Sequence, residues 1–81
     1  MFRADAIKDL IESALPACTA LVYDDANDGE HFRAEVVSSA FDGVNLVKQH
    51  QLVYAALGDH MRSDIHALQL KTYTPTRWEQ R

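Results

Sequence analysis

The sequence predicts a small α+β domain in which helices cover one face of a three-stranded sheet. Apolar residues recur at helical spacing near the N-terminus, alternate with polar residues in a later segment, and return to helical spacing beyond it. A second segment that suits a strand then comes near the C-terminus. These observations give the order helix, strand, strand, helix, short helix, strand, which is typical of the α+β class.

The first half of the chain predicts a helix and a β-hairpin. Apolar residues from Ile7 to Leu15 share one helical face, and Pro16 ends that helix. Cys18–Asp25 contains the β-branched and aromatic residues of a strand, and "ANDG" is a turn signal. The segment His31–Ser38, "HFRAEVVS", alternates between apolar and polar residues. We therefore expect these two segments to pair antiparallel.

The second half predicts a long helix, a short one, and a third strand. Asn45 is suited to cap the long helix and Gly58 to end it. Its expected buried stripe, widened by Val47 and Tyr54, comprises Leu46, His50, Val53 and Leu57. "DHMRSD" predicts the short helix and "IHALQLKTYT" the third strand. A final helical turn follows, with Thr74 as its cap and Pro75 at its first position.

The 81 residues are expected to form one domain, residues 1–81, with one core and little room for an enzyme cleft. The net charge of −4 is a handicap for a nucleic-acid binder. A single cysteine, Cys18, excludes an internal disulfide and a cysteine-rich metal site, and a small core residue is its favoured interpretation. The N-terminus has no apolar run, so we expect neither a signal peptide nor a membrane span, and a cytoplasmic location.

His66 lies at the head of the third strand. Alternation places it on the same face as Leu68 and Leu70, at the rim of the core and partly desolvated. Desolvation favours a neutral ring, whose lone pair can bind a metal ion. The same spacing fits a core histidine with no binding role, and spacing alone leaves both interpretations open.

Three segments together resemble the BolA family: "HF…VVSSAF.G", "LVKQHQLVYAAL" and "IHAL.LKTYTP…W". The resemblance extends from about Ala20 to Trp78, and the short loop "DDANDGEHF" is similar to the compact-loop branch of the family. It implies a fold related to the type II KH domain. It also implies a complex with a monothiol glutaredoxin, in which the two proteins and glutathione share a 2Fe–2S cluster. No cluster is expected in the isolated protein, and a homodimer is left open.

In this resemblance the histidine of the "IHAL" motif, here His66, is the cluster ligand. The hairpin loop lacks the cysteine or mid-loop histidine that some members add as a second ligand. His31 is the remaining nitrogen candidate, with an exposed strand residue as the alternative, because carboxylates are poor ligands for iron beside thiolates. We expect partner contacts from Asp28, Glu30, Lys71, Tyr73 and Arg77. For the basic residues Lys71 and Arg77, the alternative is that they only form a solvent-exposed face.

Two other functional classes are weaker. The chain has no nucleophile–base spacing, Gly-rich phosphate loop or "HExxH" motif, so we expect no enzyme. The resemblance thus implies a glutaredoxin-binding adaptor for iron–sulfur cluster trafficking or assembly, or for iron and redox sensing. The alternative is a DNA-binding transcriptional or stress regulator that uses the KH-like fold through Lys48, Arg62 and Lys71. Against it, "AFDGVN" has only Gly43 in place of a GxxG loop, and Asp42 would repel phosphate.

Overall fold

The structure, a computed structural model, describes residues 2–81; Met1, which the predicted domain includes, lies outside them. Within that range the secondary structure follows the predicted order. The elements are α1 (Ala4–Ala14), β1 (Thr19–Tyr23), β2 (His31–Val37), a 3-10 turn (Ser39–Phe41), α2 (Leu46–Leu57), α3 (His60–Ser63), β3 (Ala67–Tyr73) and α4 (Pro75–Gln80). The predicted α+β fold is confirmed.

The sheet has the order β1-β2-β3. β1 and β2 form the predicted antiparallel hairpin, with Ala20 opposite Val36, although β1 is shorter than the segment Cys18–Asp25. β3 pairs parallel with β2, with Phe32 opposite Leu68. The parallel pairing is possible because α2 and α3 form the crossover that two parallel strands need.

The core lies between one face of the sheet and the two longer helices. Ala20, Phe32, Ala34 and Val36 supply the sheet's side of this core, and all four are buried. The helices and loops contribute Ile7, Ile11, Phe41, Val53, Leu57 and Ile65. Burying this set removes apolar surface from water, which is the main stabilisation available to a domain of this size.

The predicted buried stripe of α2 is wrong in its N-terminal half. Val53 and Leu57 are buried, but Leu46 is 60% exposed and Val47 68% exposed, while His50 is half-buried. The first turns of α2 lie beside the outer edge of β3, which no further strand from residues 2–81 covers. Helical spacing identifies the apolar face, but it does not show where the neighbouring sheet ends.

The predicted caps are confirmed. The Asn45 side chain accepts the Lys48 N–H at 2.9 Å, and the Thr74 hydroxyl accepts the Arg77 N–H at 3.1 Å. Gly58 ends α2 with a φ of 56°, a left-handed value that glycine adopts most easily. None of the helices in residues 2–81 has the length and apolarity to cross a membrane.

Candidate functional site

The hairpin loop between β1 and β2 is held by carboxylates that accept backbone N–H groups. Asp24 accepts the N–H of Asp28 at 3.2 Å and that of Gly29 at 2.9 Å. Asn27 and Gly29 have φ values of 55° and 69°. A tight turn requires such left-handed values, and asparagine and glycine tolerate them. The loop is therefore shaped by its own side chains before any partner binds.

Asp28 continues this pattern toward β2. Its Oδ1 accepts the N–H groups of Glu30 at 2.9 Å and His31 at 3.0 Å, and its Oδ2 lies 2.8 Å from Nδ1 of His31. The hydrogen bonds from the backbone of His31 and of Glu30, followed by the one from the His31 ring, lower the pKa of Asp28 from 3.8 to about 2. Asp28 is therefore a carboxylate at any physiological pH.

The start of β3 is tied to the start of β2 through one carbonyl. The Glu30 oxygen accepts the N–H of His66 at 2.9 Å and that of Ala67 at 3.0 Å. The Glu30 carbonyl is thus shared by two consecutive N–H groups at the point where β3 begins. Ile65 is buried, whereas His66 and Ala67 are both exposed, so alternation breaks at this point. The prediction that His66 shares the core face of Leu68 and Leu70 and is partly desolvated is therefore wrong.

The His66 ring lies against that of His31. Their ring centroids are 4.9 Å apart, and the ring planes meet at 65° in an edge-on contact. The His31 side chain is 52% exposed, and His66 is exposed as well. Two imidazoles that are distant in the chain therefore share one accessible surface, which we call the histidine pair (His31 and His66).

The histidine pair has nitrogen atoms available to a metal. Among residues 2–81 the histidine rings with hydrogen bonds are His31, to Asp28, and His60, to Asp64. Within the described part of the chain, Nδ1 of His31 is thus engaged and its Nε2 is not, while neither nitrogen of His66 has a hydrogen-bond partner. Neutral imidazole nitrogen is a good ligand for iron, so the residues fit a metal centre supplied from outside.

Carboxylates lie next to the pair. Ligand atoms of Asp28, Glu30 and His31 come within 4.8 Å of one another. The structure therefore brings together four of the predicted site residues, namely Asp28, Glu30, His31 and His66. Their assignment to ligand or partner roles stays a prediction.

The other predicted partner residues lie elsewhere. Ala67 is opposite His31, whereas Tyr73 is opposite Val37 at the far end of β3, roughly 20 Å away at the usual rise per residue. Tyr73 contacts Trp78 edge-on at 5.0 Å, as the C-terminal turn packs there. Arg77 shares a groove with Tyr73, and Lys71 lies along the same strand. Tyr73 and Arg77 therefore do not lie on one compact partner surface with the histidine pair.

The basic residues of the DNA-binding alternative do not form one patch either. Lys48 lies in the first turn of α2, and Arg62 lies in α3, beyond the other end of that helix. About 15 Å of helix separates the two. Lys71 lines a groove with Leu46 and therefore lies toward the Lys48 end.

Sequence reasoning missed the loop's supporting contacts. Arg33 forms an ion pair with Asp25 at 2.9 Å, which lowers the pKa of that carboxyl, and its guanidinium lies 4.2 Å from the Tyr23 ring centroid. The Asp24 turn could have been predicted, since Asp, Asn and Gly in "DDANDG" favour such turns.

Cys18 is half-buried against the core, and this burial raises the pKa of its thiol.

Comparison with known proteins gives a consistent result. The family model described as BolA-like protein matches residues 7–77. A solved bolA protein homologue from Coxiella burnetii has a TM-score of 0.84 and 45% identity, and covers 98% of this chain and 99% of that one. Among curated relatives, BolA-like protein 1 of Bos taurus is 42% identical over 62% of this chain and 37% of its own length. The acid stress protein IbaG of Escherichia coli is 41% identical over 65% of this chain and 64% of its own. The matched region thus spans little more than a third of the mammalian relatives.

Proposed function

The chain belongs to the BolA family, and from that membership we propose that it is an adaptor that binds a monothiol glutaredoxin and co-ligates a 2Fe–2S cluster with it. His66 is the proposed ligand, and His31 is the proposed second ligand. The glutaredoxin cysteine and a bound glutathione would supply the remaining ligands.

The histidine pair is the observation that carries this proposal. An isolated exposed histidine is common on protein surfaces, but two rings 4.9 Å apart at one end of a sheet offer two nitrogen donors to one incoming group. The Glu30 carbonyl holds the backbone of His66, and Asp28 holds the His31 ring. The hairpin loop and the first residues of β3 therefore form the proposed glutaredoxin-binding surface.

The ligand type determines how such a cluster would behave. A neutral imidazole in place of a thiolate removes negative charge from the cluster, which raises its reduction potential. Imidazole binds only when unprotonated, so acid should release the cluster. A cluster held between two proteins by such ligands suits transfer or sensing of iron and redox state better than permanent electron transport.

Co-expression with a monothiol glutaredoxin tests the proposal. We expect a brown, glutathione-dependent complex of the two proteins, with visible absorption and circular dichroism that differ from those of the glutaredoxin's own cluster. His66→Ala should return the spectrum to that of the glutaredoxin alone. His50→Ala is the matched control, because this histidine lies on α2, away from the pair.

Two results would contradict the proposal. A mixed complex whose spectrum is the same with His66→Ala removes this residue from ligation. Failure to isolate any complex, with both proteins folded and glutathione present, removes the partnership itself.

A further inference from the structure

We propose that Asp28 is a positioning residue that fixes the His31 ring as its Nδ1–H tautomer and so presents Nε2 as the metal-binding nitrogen. The direction of Nε2 toward a metal rests on the proposed function, whereas the tautomer itself does not. Asp28 thereby has a role in the site that differs from the partner contact predicted from the sequence.

Several hydrogen bonds within the turn fix the position of the Asp28 carboxylate. One oxygen accepts two successive backbone N–H groups, those of Glu30 and His31, and the backbone N–H of Asp28 is itself bound by Asp24. These bonds leave Oδ2 facing the His31 ring at 2.8 Å. The carboxylate is therefore held in place by the turn and not by the ring.

The Asp28 carboxylate oxygen that lies 2.8 Å from Nδ1 of His31 decides the tautomer. An ionised carboxylate only accepts hydrogen bonds, so the ring nitrogen facing it must carry the proton. A neutral His31 is then protonated at Nδ1, and its lone pair lies on Nε2. Metal-binding histidines commonly have this arrangement, with a carboxylate on the other ring nitrogen that fixes the ring and raises its basicity as a ligand.

The substitution Asp28→Asn gives a sharp test, because the amide has one acceptor and one donor. The two backbone N–H groups require an acceptor, so the amide oxygen should keep the Oδ1 position. The NH2 group then faces Nδ1 of His31 and demands a lone pair there. The neutral ring should switch to the Nε2–H tautomer, in which Nε2 can no longer bind a metal.

The chain contains a matched control. His60 and Asp64 form a second pair of the same type, with Nδ1 of His60 2.6 Å from Oδ2 of Asp64, on α3 and its C-terminal cap. Asp64→Asn makes the same chemical change there. It should leave the tautomer of His31 unchanged.

The first readout uses the isolated protein without metal. Nitrogen-15 NMR of the histidine rings at a pH of about 8.5, above the usual histidine pKa of about 6.5, distinguishes the tautomers directly. We expect His31 as Nδ1–H in the wild type and in Asp64→Asn, and as Nε2–H in Asp28→Asn, with the backbone amide spectrum otherwise retained. Asp28→Ala, which cannot bond to the ring, should give a mixture. The same His31 tautomer in the wild type and Asp28→Asn would overturn the proposal.

The second readout uses the mixed complex with glutaredoxin and follows the loss of the visible spectrum to a chelator. Changes to carboxylates behind metal-binding histidines usually cost about 10- to 100-fold in affinity or activity, so Asp28→Asn should lose its cluster about that much faster than Asp64→Asn. Equal rates, with the tautomer switched, would refute the direction of Nε2 toward iron. Failure of the wild-type pair to form any cluster would count against the proposed function and leave the tautomer result standing.

Discussion

The backbone carbonyl of Glu30 accepts the N–H of His66 at 2.9 Å, and the His66 ring lies beside that of His31. The same carbonyl accepts the N–H of Ala67, so the contact lies where β3 begins to pair with β2. The two rings are exposed and contribute little to the core. Backbone pairing therefore positions the site, and its side chains are available for binding.

Replacement of either histidine should leave folding almost unchanged. We expect His31→Ala and His66→Ala each to alter the free energy of unfolding by less than about 0.5 kcal/mol, because exposed positions outside a buried network rarely contribute more. Urea unfolding followed by circular dichroism measures this. A loss of 2 kcal/mol or more, on the order of a core truncation, would indicate a structural role for the ring in place of a binding role.

The hairpin loop should weaken in acid as Asp28 is protonated. Its pKa in the folded chain is about 2, below the ordinary 3.8, so its stabilising contribution is complete above about pH 4 and is lost as the pH falls through 2. A carbon-13 NMR titration of the carboxyl groups should show this midpoint. Asp28→Asn should remove the midpoint together with that part of the pH dependence of unfolding. A carboxyl that titrates near 4 would show that the backbone bonds to Glu30 and His31 are not maintained in solution.

Two valines on α2 should differ strongly in their contribution to stability. Val53 is fully buried, and its truncation to alanine removes two methyl groups and leaves a cavity, at a cost of about 2 to 3 kcal/mol. Val47 is 68% exposed, and the same change there should cost less than about 0.5 kcal/mol. Chemical denaturation of the two variants compares the same valine-to-alanine change at the two positions. Similar costs would mean that the N-terminal half of α2 is packed after all.

The Ser38 side chain should contribute to the stability of the fold, whereas that of its neighbour Ser39 should not. The Ser38 hydroxyl is fully buried, donates to the Pro16 carbonyl at 2.6 Å and accepts the Ala40 N–H at 3.1 Å. Ser38→Ala leaves both groups without this partner, which should cost about 1 to 3 kcal/mol. Ser39→Ala, at an exposed position, is the control and should be nearly neutral. Equal stability of the two variants would show that water replaces the hydroxyl.

The α2 helix shows how far sequence reasoning reaches. Its start at Asn45 and its end at Gly58 were predictable, because capping and left-handed turns depend on neighbouring residues. The exposure of Leu46 and Val47 was not, because it depends on where the sheet ends. The same distinction applies to Lys71, Tyr73 and Arg77, which share the basic or aromatic chemistry of a partner surface but lie in the far half of β3 or, for Arg77, in α4 beyond it.

By itself the sequence determined the order of elements, the hairpin and the caps, since these follow from spacing and from turn and cap residues close together in the chain. It also identified His66 and His31 as the nitrogen candidates. Only the tertiary structure decided that their rings meet. His66 lies just before β3, where the Glu30 carbonyl accepts two consecutive N–H groups, and its exposed ring contacts that of His31. A single hydrogen-bond acceptor shared by two residues leaves no periodic signal in the sequence. The sequence therefore identifies the residues of the site, and only the fold shows that they lie together.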